Sequence, residues 1–350
     1  MAEILWDAPA TPDDLTYTVR EIPLRSELVL SGMPGMITST ESNTLRWGDV
    51  TRRNRLASYR AFDGPIAVGA RDEAEDRQVR LAPFSRQLNL GEFERLSIEF
   101  ERMAGGNRAY LANALYDDAE NLTSSMHNRV EKAIGQTLTT GVFDVNENDF
   151  RATADFGVPA ANKITAATVW STPTANAGDD LRAMGKQFLK SAGVRAGRVI
   201  TSEAVIDSLL QNLQIVAEAI GTQAGRTWIT RQELDNWFQQ NRLPFGAQIT
   251  EYETSFYNEA TMLDERVIPE SKFILTPGNL SDVITFKYGI SATALELIRA
   301  PQSEMTWSDG AGIVGLAVKQ GPPFRQFTYV DAVGMPVLMG AKSVVIGTVL

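Results

Sequence analysis

The sequence predicts an α+β protein organised around one unusually long helix, and three observations carry that expectation. Between Asn107 and Gly141 apolar residues return at Leu111, Leu115, Leu122, Met126, Val130, Ile134 and Leu138, with Ala119 in the missing turn. That is helical spacing held over many turns. Ahead of it lie two β-favouring runs, Thr44 to Val50 and Arg77 to Leu90, and after Thr165 short helical and strand-like patterns alternate.

The long helix has plausible ends. Gly105 and Gly106 break the chain before Asn107, which suits an N-cap, and Gly141 suits a C-cap. At 1.5 Å per residue the helix spans roughly 50 Å. Asn113, Asp117, Glu120, Ser124, Asn128 and Glu131 occupy the outer positions, so that face is expected to be solvated while the other rests on a core. A rod of this length usually braces a thin or extended body.

The totals narrow the function. A chain of 350 residues with 43% hydrophobic residues has room for one large or two moderate cores. Cysteine is absent, which removes disulfides, thiolate metal sites and thiol nucleophiles. The one histidine, His127, falls within the long helix and is expected on its surface, which removes most imidazole-based metal and triad chemistry. No metal or other cofactor is expected. The net charge is −10 and no basic run offsets it, so sequence-specific nucleic-acid binding is disfavoured. No apolar run approaches the roughly 20 residues of a membrane span, and the acidic start MAEILWDAPATPDD differs from a secretion signal, so no membrane partner and cytosolic synthesis are expected. Of the 33 basic residues 25 are Arg, and the first Lys is Lys132. Because the guanidinium fork pairs with carboxylates at interfaces, that skew points to contacts between chains.

In order, residues 1–42 contain Pro9, Pro12, Pro23 and Pro34 and read as an extended arm with little core of its own. Residues 43–90 read as a two-stranded ribbon that leaves the body and returns, dense in Arg46, Arg52, Arg53, Arg55, Arg60, Arg71, Arg77, Arg80 and Arg86. Two strands alone are marginal in water, so a neighbouring subunit is expected beneath the ribbon. Residues 91–165 hold a short helix from Glu92 to Met103, the long helix over 107–140, and a hairpin pairing Val142 to Asp144 with Thr153 to Phe156.

Residues 166–318 form a second, α/β domain. Helices are expected from Asp179 to Ser191, with Leu181, Met184, Phe188 and Leu189 inward, and from Ser202 to Leu210. Thr230 with Glu233 makes a capping box for a third. Strands are expected at Arg198 to Ile200, Ala247 to Glu253, Lys272 to Leu275, Val283 to Phe286 and Leu295 to Ile298, with a polar hairpin from Phe256 to Pro269. The apolar run in 319–350 lacks a local partner and is expected to return to the first domain's sheet.

Two glycine patterns fail their structural tests. Gly310, Gly312 and Gly315 satisfy GxGxxG, but a dinucleotide site needs a helix to open there, and the chain runs on to Gly321, Pro322 and Pro323. Gly334 to Ser343 resembles a phosphate loop with the wrong spacing and too little chain after it for a helix. The acid pairs Asp117–Asp118 and Asp179–Asp180 leave a carboxylate-based hydrolase as a remote alternative.

The order of arm, ribbon, short helix, spine helix, small sheet and α/β domain resembles the major capsid proteins of tailed bacteriophages, which share the Hong Kong 97 fold. Within that group the chain is most similar to the bacteriophage lambda major capsid protein E family. The likeness rests on Arg80-Leu81-Ala82-Pro83-Phe84, the Asn107 to Gly141 helix, Ile268-Pro269 leading into Phe273-Ile274-Leu275-Thr276-Pro277, and Tyr288-Gly289 before Ala294-Leu295-Glu296-Leu297. It implies an N-terminal arm, an E-loop (the ribbon), a peripheral domain carrying the spine helix and an axial domain.

It also implies a structural, non-enzymatic protein. Pentamers and hexamers of the chain would close an icosahedral shell around double-stranded DNA held non-specifically. Assembly would take place in the host cytoplasm and the final place would be the virion capsid, with a portal, a decoration protein and a separate scaffolding protein as partners. An encapsulin-like compartment is the alternative with the same fold. The E-loop contains no lysine, so the isopeptide locking of some relatives is not expected. Arg52, Arg53, Arg55, Arg60, Arg71, Arg77 and Arg80 are the expected contacts to a neighbouring subunit.

Overall fold

The computed structural model describes residues 2–6, 11–50, 74–91, 109–221, 225–259, 261–322 and 325–350. The helix expected from Glu92 to Met103 and the cap expected at Asn107 lie outside them.

The N-terminal part contains β1 (Ala2–Ile4), α1 (Pro12–Glu21), β2 (Ile37–Ser39) and the ribbon strands β3 (Thr44–Val50) and β4 (Ala74–Arg80), followed by β5 (Ala82–Leu90). The spine helix α2 (Ala109–Thr140) follows, then the hairpin of β6 (Val142–Glu147) and β7 (Phe150–Asp155), and β8 (Lys163–Thr165). Next come α3 (Ala177–Ala192), β9 (Arg198–Thr201), α4 (Glu203–Leu210), α5 (Leu213–Ile220), α6 (Arg231–Gln240) and β10 (Ile249–Glu251). A second hairpin, β11 (Ser255–Asn258) and β12 (Leu263–Arg266), precedes β13 (Lys272–Thr276), β14 (Ile284–Gly289) and α7 (Ala292–Arg299). The chain finishes with β15 (Val314–Gln320), β16 (Arg325–Leu338) and β17 (Val345–Thr348).

The spine helix ends where the sequence places its stop. Gly141 takes φ +76°, a conformation that needs no Cβ, and its N–H donates to the Thr137 carbonyl at 2.8 Å. The next hairpin pairs Val142 with Asp155 and Asp144 with Thr153, and it turns through Asn148 (φ 47°) and Asp149 (φ 63°). Two consecutive positive φ values are what a tight hairpin turn requires, and Asn and Asp tolerate them best after Gly.

Two sheets sandwich the spine. One has the order β1-β15-β16-β14-β2, with β5 pairing along β16 as well. The 14-residue strand β16 carries β15 and then β14 along one edge and β5 along the other. Alternation on β15 assigns its faces. Val314, Leu316 and Val318 cluster with Ile290, Ala294 and Leu297 of the α7 side, whereas Ala317 joins Leu15 and Val19 of α1 in the core that contains the spine.

The other sheet has the order β10-β9-β13-β17-β8. Ile200, Ile274 and Ile346 are register partners across three of its strands, and all three pack into the core shared with Val130, Ile134 and Leu138 of the spine. Each is buried to within 3% of complete, which at roughly 25 cal/mol per Å2 stabilises the contact by about 2 kcal/mol per side chain. Val199, Phe273, Leu275 and Val345 point the other way, into a second core with Trp170, Leu181, Met184, Phe188, Trp237 and Phe238.

Several expectations are corrected. The segment over 12–36 is not an extended arm without a core. Thr11 and Asp14 form a capping box with Pro12 in the first turn, and Leu15, Val19, Leu28, Leu30 and Met36 are buried. Covering by this segment explains a second correction: Ser124, His127 and Glu131 are buried, so the C-terminal half of the spine has little solvated face. Leu295 to Ile298 belongs to α7, whose N-cap Ser291 accepts from the Ala294 amide, and not to a strand. Leu189 is 39% exposed. Between Ala247 and Glu253 only Ile249–Glu251 is strand, after one 3-10 turn. The final apolar run divides: β16 enters the first sheet, with β15 as a nearby partner, while β17 lies between β13 and β8 in the second. A run that is apolar throughout reports burial on both faces but not which sheet supplies it.

Candidate functional site

The geometry that bears on the expected contacts with a neighbouring subunit is where the ribbon leaves the body and how the N-terminal segment is seated. The ribbon begins as the sequence suggests, but the run expected from Arg77 to Leu90 as its returning strand divides: β4 pairs with β3, whereas β5 pairs with β16 in the body's sheet. β3 and β4 are antiparallel, from Thr44 opposite Arg80 to Val50 opposite Ala74. Asn43 fixes their base: its side-chain amide donates to the Ile290 carbonyl at 2.7 Å, and its Oδ1 accepts from the Ile290 amide at 3.0 Å. The Leu81 amide donates to the Asn43 carbonyl at 3.0 Å on the returning side. Gly289 makes this close approach feasible, since a Cβ there would lie 2.4 Å from Leu81 Cδ1 and 2.5 Å from Asn43 Oδ1.

Of the expected contact residues, Arg52, Arg53, Arg55, Arg60 and Arg71 lie outside the described residues. Arg77 is opposite Trp47 in the β3–β4 ladder, and Arg80 is exposed at the ribbon's base. Arg86 has an intramolecular role: it pairs with Glu259 on the β11–β12 hairpin and donates to Ser125 Oγ at 3.3 Å. Both partners of that ion pair are partly exposed, so it orients more than it stabilises.

The buried centre of the site is Glu131, which sequence reasoning places at the surface. Its carboxylate accepts from the amides of Leu30 at 2.8 Å and Ser31 at 2.7 Å and from the Tyr252 hydroxyl at 2.6 Å. Burial, and then the Glu131 charge, push the Tyr252 hydroxyl far above its ordinary pKa, so it stays a donor. One turn earlier, His127 is held below its ordinary value by burial first and by the nearby Arg25 second. None of Asn43, Glu131 or Tyr252 had a local signal in sequence, because each acts on a partner at least 100 residues away. Among the described residues no group of acids and His is placed to hold a metal, and no helix is long and apolar enough to cross a membrane.

A spine helix between two sheets, a two-stranded ribbon and an N-terminal segment laid along the spine define the Hong Kong 97 class of shell-forming subunit. Its near neighbours among solved structures share that fold. A protein assigned as the capsid protein of a prophage in E. coli CFT073 matches over 100% of both chains at 11% identity with TM-score 0.60. A phage-related protein from Bordetella bronchiseptica RB50 matches over 95% of both chains at 13% identity with TM-score 0.50. No individual curated protein matches the sequence. The family description "Phage major capsid protein E" matches residues 11–300, and the chain belongs to that family. It is a major capsid protein, a structural subunit that associates with its own kind in the shell of a virion.

Proposed function

We propose that many copies of this chain, as pentamers and hexamers, close an icosahedral shell around double-stranded DNA. Assembly takes place in the host cytoplasm with a separate scaffolding protein, a portal and a decoration protein. The observation that carries the reading is the match of the capsid protein E family across residues 11–300 of a chain built on a spine between two sheets. In this reading residues 1–42 are the N-terminal arm, 43–90 the E-loop, 91–165 with 319–350 the peripheral domain, and 166–318 the axial domain. The chain acts by packing and not by catalysis.

Arg52, Arg53, Arg55, Arg60, Arg71, Arg77 and Arg80 serve as contacts to carboxylates of an adjacent copy. A subunit of net charge −10 repels its siblings as they gather, so a shell must set opposite charges and apolar area across its interfaces. The same charge leaves packaged DNA loosely held. The arginine assignment is tested by changing Arg52, Arg53, Arg55 and Arg60 together to Gln. Assembly should weaken and become less resistant to salt. Shells of unchanged yield and salt resistance would remove these residues from the interface.

A further inference from the structure

Glu131 is fully buried in the C-terminal half of the spine, and its three hydrogen bonds reach two separate parts of the chain. Leu30 and Ser31 belong to the N-terminal segment. Tyr252 directly follows β10, the edge strand of the five-stranded sheet, and its own amide donates to the Thr201 carbonyl of β9 at 2.9 Å. The two parts also touch next to the carboxylate, where the Thr254 hydroxyl donates to the Glu27 carbonyl at 3.1 Å. A buried carboxylate is costly unless donors surround it, and taking one donor away charges that cost to the bonds that remain. The three bonds therefore stand or fall as a set.

We propose that Glu131 is a coupling latch: it ties the seating of residues 28–31 on the spine to the position of the five-stranded sheet. Withdrawal of Tyr252 with the sheet edge loosens the N-terminal segment, and unseating that segment frees the sheet edge. The inference deepens the shell reading, in which one chain must fit into both pentamers and hexamers. Its test needs only the purified full-length chain, so it can fail while the shell reading stands, and the reverse.

The test is amide hydrogen exchange followed by mass spectrometry on the native chain, Tyr252→Phe, Glu131→Gln and the double variant. Tyr252→Phe removes one hydroxyl and touches no atom of the N-terminal segment, yet exchange in the peptide holding Leu30 and Ser31 should quicken by roughly tenfold or more, the scale of one hydrogen bond to a charged group. Glu131→Gln should quicken exchange both there and around Tyr252. In the Glu131→Gln background, adding Tyr252→Phe should change the N-terminal peptide no further. A tyrosine that merely packs would alter only its own neighbourhood. Unchanged exchange at Leu30 and Ser31 in Tyr252→Phe, or a full additional effect in the double variant, would overturn the latch.

Discussion

Gly135 of the spine lies against Val267, so close that a Cβ built on the glycine would come within 2.4 Å of Val267 Cγ1 and 2.7 Å of the Val267 carbonyl oxygen. Glycine inside a helix costs about 1 kcal/mol relative to alanine, so its presence here is offset by the approach it permits. Gly135→Ala should gain that helix preference and lose more to displaced backbone, for a net destabilisation of about 1–2 kcal/mol. Thermal unfolding of the purified chain checks it. A raised melting temperature would mean that the spine can move away from Val267 at no cost.

His127 gives stability a dependence on acid. Its pKa in the folded chain is below the ordinary 6.5, because burial disfavours the imidazolium and Arg25 repels it. Below about pH 6.5 the unfolded chain takes up the proton and the folded chain resists it, so stability contributed here is complete above that pH and falls as pH drops through it. Denaturant midpoints measured from about pH 7.5 to 5.5 should decline. His127→Gln should flatten that decline, and an unaltered slope would assign it to other groups.

The isoleucine row joins the five-stranded sheet to the spine. Ile274 sits between Ile200 and Ile346 and is fully buried. Ile274→Ala should cost about 2–5 kcal/mol in equilibrium unfolding, and Ile274→Val about 1 kcal/mol. Equal small losses for both would show that the joint collapses around the gap.

The capping box of α6 offers a local test. Thr230 Oγ1 accepts from the Glu233 amide at 3.3 Å, and the Thr230 amide donates to Glu233 Oε2 at 2.7 Å. Thr230→Ala should cost about 1 kcal/mol. Bonding from the Thr230 backbone first and from Arg226 second holds the Glu233 carboxyl below its ordinary 4.5, so its contribution is present above that pH and is lost as pH falls further. A Thr230→Ala chain as stable as the parent would contradict the box.

What could be read from sequence was mostly local. The helix over Ala109–Thr140, its stop at Gly141, the Ser202 cap and the Thr230–Glu233 box depend on residues within a few positions of each other, and the structure shows each of these. A similar local signal, Thr11-Pro12-Asp13-Asp14, marks the start of α1 and was hidden by the prolines around it. Leu295 to Ile298 is short and apolar, a pattern strands and helices share, and only the cap at Ser291 separates them. The pairing of β5 with β16, the placement of β17 and the partners of Glu131 join residues far apart in sequence, where periodicity carries no information. The pairing at the ribbon's base, from Thr44 opposite Arg80 to Val50 opposite Ala74, was legible because the β-favouring residues of its two runs lie close together in sequence.

Electron microscopy of the purified full-length chain, concentrated without its partners, tests the central claim most directly. The account predicts curved lattices and closed shells built from pentamers and hexamers, irregular in size because the scaffolding protein is missing. Particles of one small, discrete oligomeric size at every concentration and salt level would contradict it.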